Sequence, residues 1–288
     1  MFSTIYKTTL KTLFRSRTVW LALALIVIVL GADVMKGHYG YFDLQIGEMI
    51  YDTDPRYILK FDTYRENVLQ NTACATIMLY PLPLFAVIAT VAVLMRDYGD
   101  HYYEIEKAGN VRPISYYFAR LLGIMTVVMV VAVGTTLLGI YWYVFSRGGV
   151  EGYSAGELLL DTFLRIWKYV GGMMLPVLLA IVSATLCLGN LLRNTLIAAL
   201  ISLFYLVANY LYCYIGNVTG WQPYFQYLSN TPSKLRWVIA AYDRADPAAT
   251  MAAFGTTPTL ALYCVLITLI ATLLYSVVAY LRIRSREI

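Results

Sequence analysis

Charge is what this sequence has least of. Only 14% of its 288 residues are Asp, Glu, Lys or Arg, while 60% are hydrophobic. A soluble domain carries about 25% charged residues, because its outside must be wetted. The shortage excludes an ordinary soluble fold of this length. Cysteine is scarce too: Cys74, Cys187, Cys213 and Cys264 all lie in apolar runs, at spacings that match no metal motif and no disulfide scaffold. They read as small apolar packing residues. The two histidines, His38 and His101, sit in loops and read as solvated. No phosphate-cradling Gly-Lys-Ser/Thr loop occurs, so the chain does not bind ATP by that route, and no His-Glu-x-x-His or paired-cysteine motif occurs. There is no internal repeat. The net charge of +5 forms no basic stripe, since Lys and Arg flank the apolar runs, and nucleic acid is not expected as a partner.

What remains is a set of long apolar runs. They predict an all-α integral membrane protein of about six transmembrane helices, in a single domain covering residues 1–288. The spans are expected at about residues 19–34, 72–95, 116–145, 167–192, 195–215 and 259–281. Pro81, Pro83 and Pro176 are expected to kink their helices. Ahead of the first span, residues 1–18 read as an amphipathic helix lying on the membrane. Lys7, Lys11 and Arg15 recur every four residues, with Phe2, Ile5, Leu10, Leu13 and Phe14 mostly opposite. Basic flanks at both ends, Arg15 and Arg17 against Arg282, Arg284 and Arg286, place both termini inside. Residues 35–71, rich in acidic groups, and 216–258 are then extracytoplasmic. In the second of these, Thr231-Pro232 and Asp246-Pro247 read as starts of short helices.

Three stretches invite a functional reading. Residues 97–115, between the second and third spans, can form a short helix that Asp100 starts and Gly109 ends, with Pro113 in the first turn of the next span. Such a helix, held between two spans, can plug into a groove on a soluble partner; its plainer alternative is a solvated anchor. Tyr102, Tyr103 and Glu104 are the best contact candidates, because aromatics beside a carboxylate combine apolar burial with a charged hydrogen bond. Asp100, Glu106 and Lys107 complete the candidate face. In the fifth span, Thr195, Ser202 and Asn209, seven residues apart, form a polar stripe with Tyr205 and Tyr212 nearby, facing either a translocation path or a neighbouring helix. In the fourth, Gly172, Pro176, Ala180 and Ala184 form a ridge suited to close helix packing.

The 97–115 stretch resembles the coupling-helix region of ABC-2 type permeases, the membrane subunits of many bacterial ATP-driven exporters. Asp97 at the end of a span, Gly99 and Glu104 in the short helix, Pro113-Ile114-Ser115 and then Arg120 one turn into the next span occupy the roles of that family's pattern. The resemblance implies an amphipathic elbow helix at the N-terminus and a cytoplasmic coupling helix. It also implies a path formed by two permease subunits, identical or related, and lined by their second and fifth spans. The chain would then be no enzyme: ATP and magnesium belong to separate cytoplasmic ABC ATPase subunits. The remaining partners are membrane lipid and an amphipathic substrate, whether peptide, drug or lipid, in a bacterial plasma membrane. Two other classes compete. A stand-alone secondary transporter or channel would prefer charged midplane residues or repeats. A membrane-embedded enzyme would need His or carboxylate clusters at the membrane face.

Overall fold

A computed structural model describes residues 2–35, 41–43, 48–50, 81–99, 112–146, 152, 154–157, 159–160, 163–164, 175–219 and 258–285. The long elements are α-helices: α1 (Phe2–Arg15), α2 (Arg17–Met35), α3 (Pro81–Gly99), α4 (Pro113–Ser146), α5 (Leu175–Leu192), α6 (Thr195–Thr219) and α7 (Pro258–Arg284). The described parts of the six expected apolar runs fall on α2 to α7; residues 72–80 and 167–174 of the second and fourth lie outside the described residues. A small antiparallel hairpin, β1 (Tyr41–Asp43) with β2 (Glu48–Ile50), pairs Phe42 with Met49; the sequence carries no clear signal for it. Apart from that hairpin the described residues are helical, which fits an all-α multi-pass membrane protein. Among the described residues α3, α4 and α5 are long and apolar enough to cross a membrane, and the bent pair α1–α2 makes a fourth candidate. Helices suit this setting because every backbone N–H and C=O is satisfied within the segment.

The middle of the fold is α5, which packs against α3, α4, α6 and α7. It is apolar all round, the pattern of a fully enclosed helix. Tight approaches depend on glycine: a Cβ on Gly189 would lie 2.4 Å from the Leu94 side chain, and one on Gly123 would lie 2.8 Å from Thr9. Gly123 therefore lets α1 lie directly on α4. Pro81, Pro83 and Pro176, which the sequence reading expects to kink their helices, lie at the edge of the described parts of α3 and α5, and the residues before them, 51–80 and 165–174, lie outside the described set.

The helix ends show how the chain changes direction. α1 and α2 meet at 61° across Ser16. The last carbonyls of α1 lack intrahelical partners, and the Trp20 indole N–H donates to the Phe14 carbonyl at 2.7 Å. Trp20 thus braces the corner. Between α5 and α6 the chain reverses in two residues. Arg193 adopts a left-handed backbone (φ 54°) and donates its N–H to the Gly189 carbonyl at 3.0 Å. Asn194 then caps α6, its side-chain oxygen accepting from the Leu196 and Ile197 amides at 3.0 and 3.2 Å.

A polar junction and an apolar groove as candidate functional sites

Two places stand out in an otherwise apolar core. The first is a polar junction where the last turn of α3, the first turns of α4 and the middle of α1 meet. Tyr116 and Arg120 lie four residues apart, on one face of α4, and that face receives Asp97 from α3. Arg120 Nη2 donates to Asp97 Oδ1 at 2.5 Å. The Tyr116 hydroxyl donates to the other carboxylate oxygen at 2.7 Å, and its ring lies 5.3 Å from the guanidinium carbon. Arg120 Nη1 donates to Thr9 Oγ1 of α1 at 2.9 Å, while Thr9 donates its own proton to the Ile5 carbonyl at 2.8 Å. One turn on, Arg96 donates to Thr12, which donates to the Thr8 carbonyl at 2.9 Å. Tyr98 reaches across to α5, donating to Asn190 Oδ1 at 3.0 Å.

Asp97 and Arg120 are 4% and 2% exposed. A buried pair of this kind costs much to desolvate, and it persists only when the remaining polar atoms also find partners. Here both carboxylate oxygens and two guanidinium nitrogens do. The space beside the pair is about 10 Å³, room for one water and no more. No substrate fits there, so the chemistry available is mechanical: the junction ties three helices together at one point. The two ends it joins are the ends of the chain segment running from Gly99 to Arg112.

Sequence reasoning singles out Asp97 and Arg120 separately, and the structure brings them into contact. It does not reach Thr9 or Thr12. Both are buried on the face of α1 that packs against the bundle, while Phe2 and Phe14 are exposed. The signal was the threonine content of α1: two of its four threonines, Thr9 and Thr12, lie on that face. Lys7, Lys11 and Arg15 share an exposed face, as their spacing predicts. The candidate residues Asp100, Tyr102, Tyr103, Glu104, Glu106 and Lys107 lie outside the described residues.

The second place is a groove of about 430 Å³ between α5, α6 and α7, with α3 at its base. Ser202 and Tyr205 both border it, from α6. The Ser202 hydroxyl is buried and makes no hydrogen bond among the described residues. Asn209 and Tyr212 continue along α6, and their side chains lie outside the described set. Ala180 and Ala184, expected to serve close helix packing, also line the groove. Being small, they leave its floor open. Among the described residues no cluster of His, Cys, Asp and Glu could hold a metal ion. No protein-family model matches the chain, and no curated protein or solved structure matches it.

Proposed function

We propose that this protein is the membrane permease subunit of an ATP-driven exporter of the ABC-2 type. The observation that carries the proposal is the buried Asp97–Arg120 pair with its Thr9 contact. These are two of the residues by which the chain resembles that family, and they sit at either end of the segment proposed as the coupling helix. A segment anchored at both ends by one ion pair moves as a unit with its anchor. A push on residues 100–111 from a cytoplasmic ATPase would therefore reach α3, α4 and α1 together, and not be lost in a slack loop. Bistable packed elements driven in this way are a common route between inward-facing and outward-facing states.

In this proposal α1 is the elbow helix, its 61° corner with α2 marking where the chain turns from the membrane surface into the bilayer. The helices α2 to α7 make six spans, with both termini cytoplasmic in a bacterial plasma membrane. Two permease subunits form the path. Ser202 and Tyr205, bordering an apolar groove, support a substrate-facing role for the polar side of α6, with Asn209 and Tyr212 further along it. ATP and magnesium act in the partner ATPases, not in this chain, and the cargo is amphipathic.

Replacing Tyr103 and Glu104 together with Ala tests the coupling role. The spans should still fold, while co-purification of the ATPase falls or hydrolysis becomes uncoupled from transport in liposomes. A double variant with full ATPase binding and full coupled transport would remove this segment from the mechanism. Transport by the wild-type chain in liposomes lacking any ATPase would remove the exporter proposal itself.

A further inference from the structure

We infer that the groove between α5, α6 and α7 is a lipid site that takes one acyl chain of a bilayer phospholipid. Its floor is buried and apolar: Val87 is 1% and Ala180 2% exposed. Its rim is exposed and equally apolar: Leu191, Ile201 and Val278 are each about 40% exposed. The rim runs without a break into the outer faces of α6 and α7, where Leu200, Phe204 and Leu274 are exposed. The groove therefore opens sideways onto the apolar surface that a membrane protein presents to hydrocarbon.

Water does not fill such a space, because a water molecule needs two or more polar partners. The polar groups at hand are few. Thr185 has its hydroxyl committed to the Ile181 carbonyl at 2.9 Å, leaving Ser202, Tyr205 and Tyr275. Among the described residues no charged side chain lines the groove, and a phosphate or ammonium head finds no counter-charge there and stays at the mouth. The volume also suits a single chain. An apolar cavity of about 150 Å³ accepts a benzene-sized ligand, and this groove is close to three times that. The inference concerns the groove that the exporter proposal gives to substrate, yet it requires only the membrane setting. Transport by the wild-type chain without any ATPase, with groove labelling intact, would sink that proposal and leave this one standing.

Photolabelling tests it. The full-length chain is reconstituted in phosphatidylcholine nanodiscs containing a phosphatidylcholine with a diazirine in one acyl chain. A parallel sample carries free stearic acid with the diazirine at the same carbon. Adducts are mapped by mass spectrometry. Phospholipid adducts should appear on the groove residues Ala184, Leu188 and Ile201, and should saturate. Labelling of the outer residues Phe204 and Leu273 should rise in proportion to probe. Ala184→Phe fills the floor; since two buried methylenes already correspond to about tenfold in occupancy, groove labelling should fall by about that factor. Phe204 and Leu273 should be unaffected. Should the Ala184→Phe chain fail to run as a single species, Ala184→Leu and the wild-type map decide. A groove left unlabelled while the outer faces react would overturn the inference. So would labelling by stearic acid alone, or an unlabelled groove with Ile201→Cys cross-linking to a second copy.

Discussion

The junction at Arg120 and the groove at Ser202 use the same kinds of side chain in opposite ways. At the junction, threonine and tyrosine hydroxyls are fully engaged: Thr9 donates to its own helix and accepts from Arg120, and Tyr116 donates to Asp97. In the groove, the buried Ser202 hydroxyl is unengaged among the described residues. One region is closed, with room for a single water, and the other holds about 430 Å³. A buried ion pair whose carboxylate is bonded at both oxygens resists displacement, because each displaced bond exposes a buried charge. An apolar groove carries no such penalty and can empty, fill and change shape. The contrast separates a closed, hydrogen-bonded junction from an open apolar groove.

The largest expected effect comes from breaking the ion pair. Arg120→Leu or Asp97→Leu alone should destabilise the folded chain by about 3–5 kcal/mol, because each leaves its partner charged and buried. The double Leu variant should recover much of that loss. Thermal unfolding in detergent, followed by near-ultraviolet circular dichroism, measures the cycle. Single variants as stable as the wild type would mean that the junction does not hold the helices together.

A smaller effect sharpens the comparison at single hydroxyls. Thr9→Val removes the acceptor for a buried guanidinium nitrogen and should cost about 1–3 kcal/mol. Ser202→Ala removes a buried hydroxyl that makes no described bond and should leave stability unchanged or slightly raised. Equal losses at the two sites would erase the distinction drawn between the regions.

The smallest effect lies away from both. Ser154 and Glu157 form a capping box outside the long helices: the Ser154 hydroxyl and amide donate to the Glu157 carboxylate at 2.7 and 2.9 Å, and the Glu157 amide donates back to Ser154 Oγ at 3.3 Å. These bonds, the hydroxyl first, hold the Glu157 carboxyl below its ordinary value. A depressed carboxyl contributes stability that is present above its unfolded pKa and is lost as pH falls through the folded one. The short helix should therefore loosen only in acid. Carboxyl titration by NMR should show Glu157 returning toward the ordinary range in Ser154→Ala, and an unchanged titration would exclude the cap as the cause.

Much of this architecture was written in the residues. A chain with so few charges and such long apolar runs must enclose its backbone polar groups, and helices do that locally, so the positions of α2 to α7 follow from composition along the chain. The exposed basic face of α1 and the helix start at Pro113 were legible for the same reason: both rest on interactions within a few residues. The hairpin at Tyr41–Asp43 and Glu48–Ile50 was not, since its strands are only three residues each and leave no periodic trace.

Composition and local pattern thus determined that this is a helical membrane protein and where its helices run. Tertiary structure alone decided that Arg120 reaches back 23 residues to Asp97 and 111 to Thr9. It alone decided that Ala180, Ala184 and Ser202 border a groove where a tight contact was equally compatible with their size. Hydrogen bonds between helices and the gaps left between them depend on how rigid rods cross, and no stretch of sequence short enough to read contains both rods.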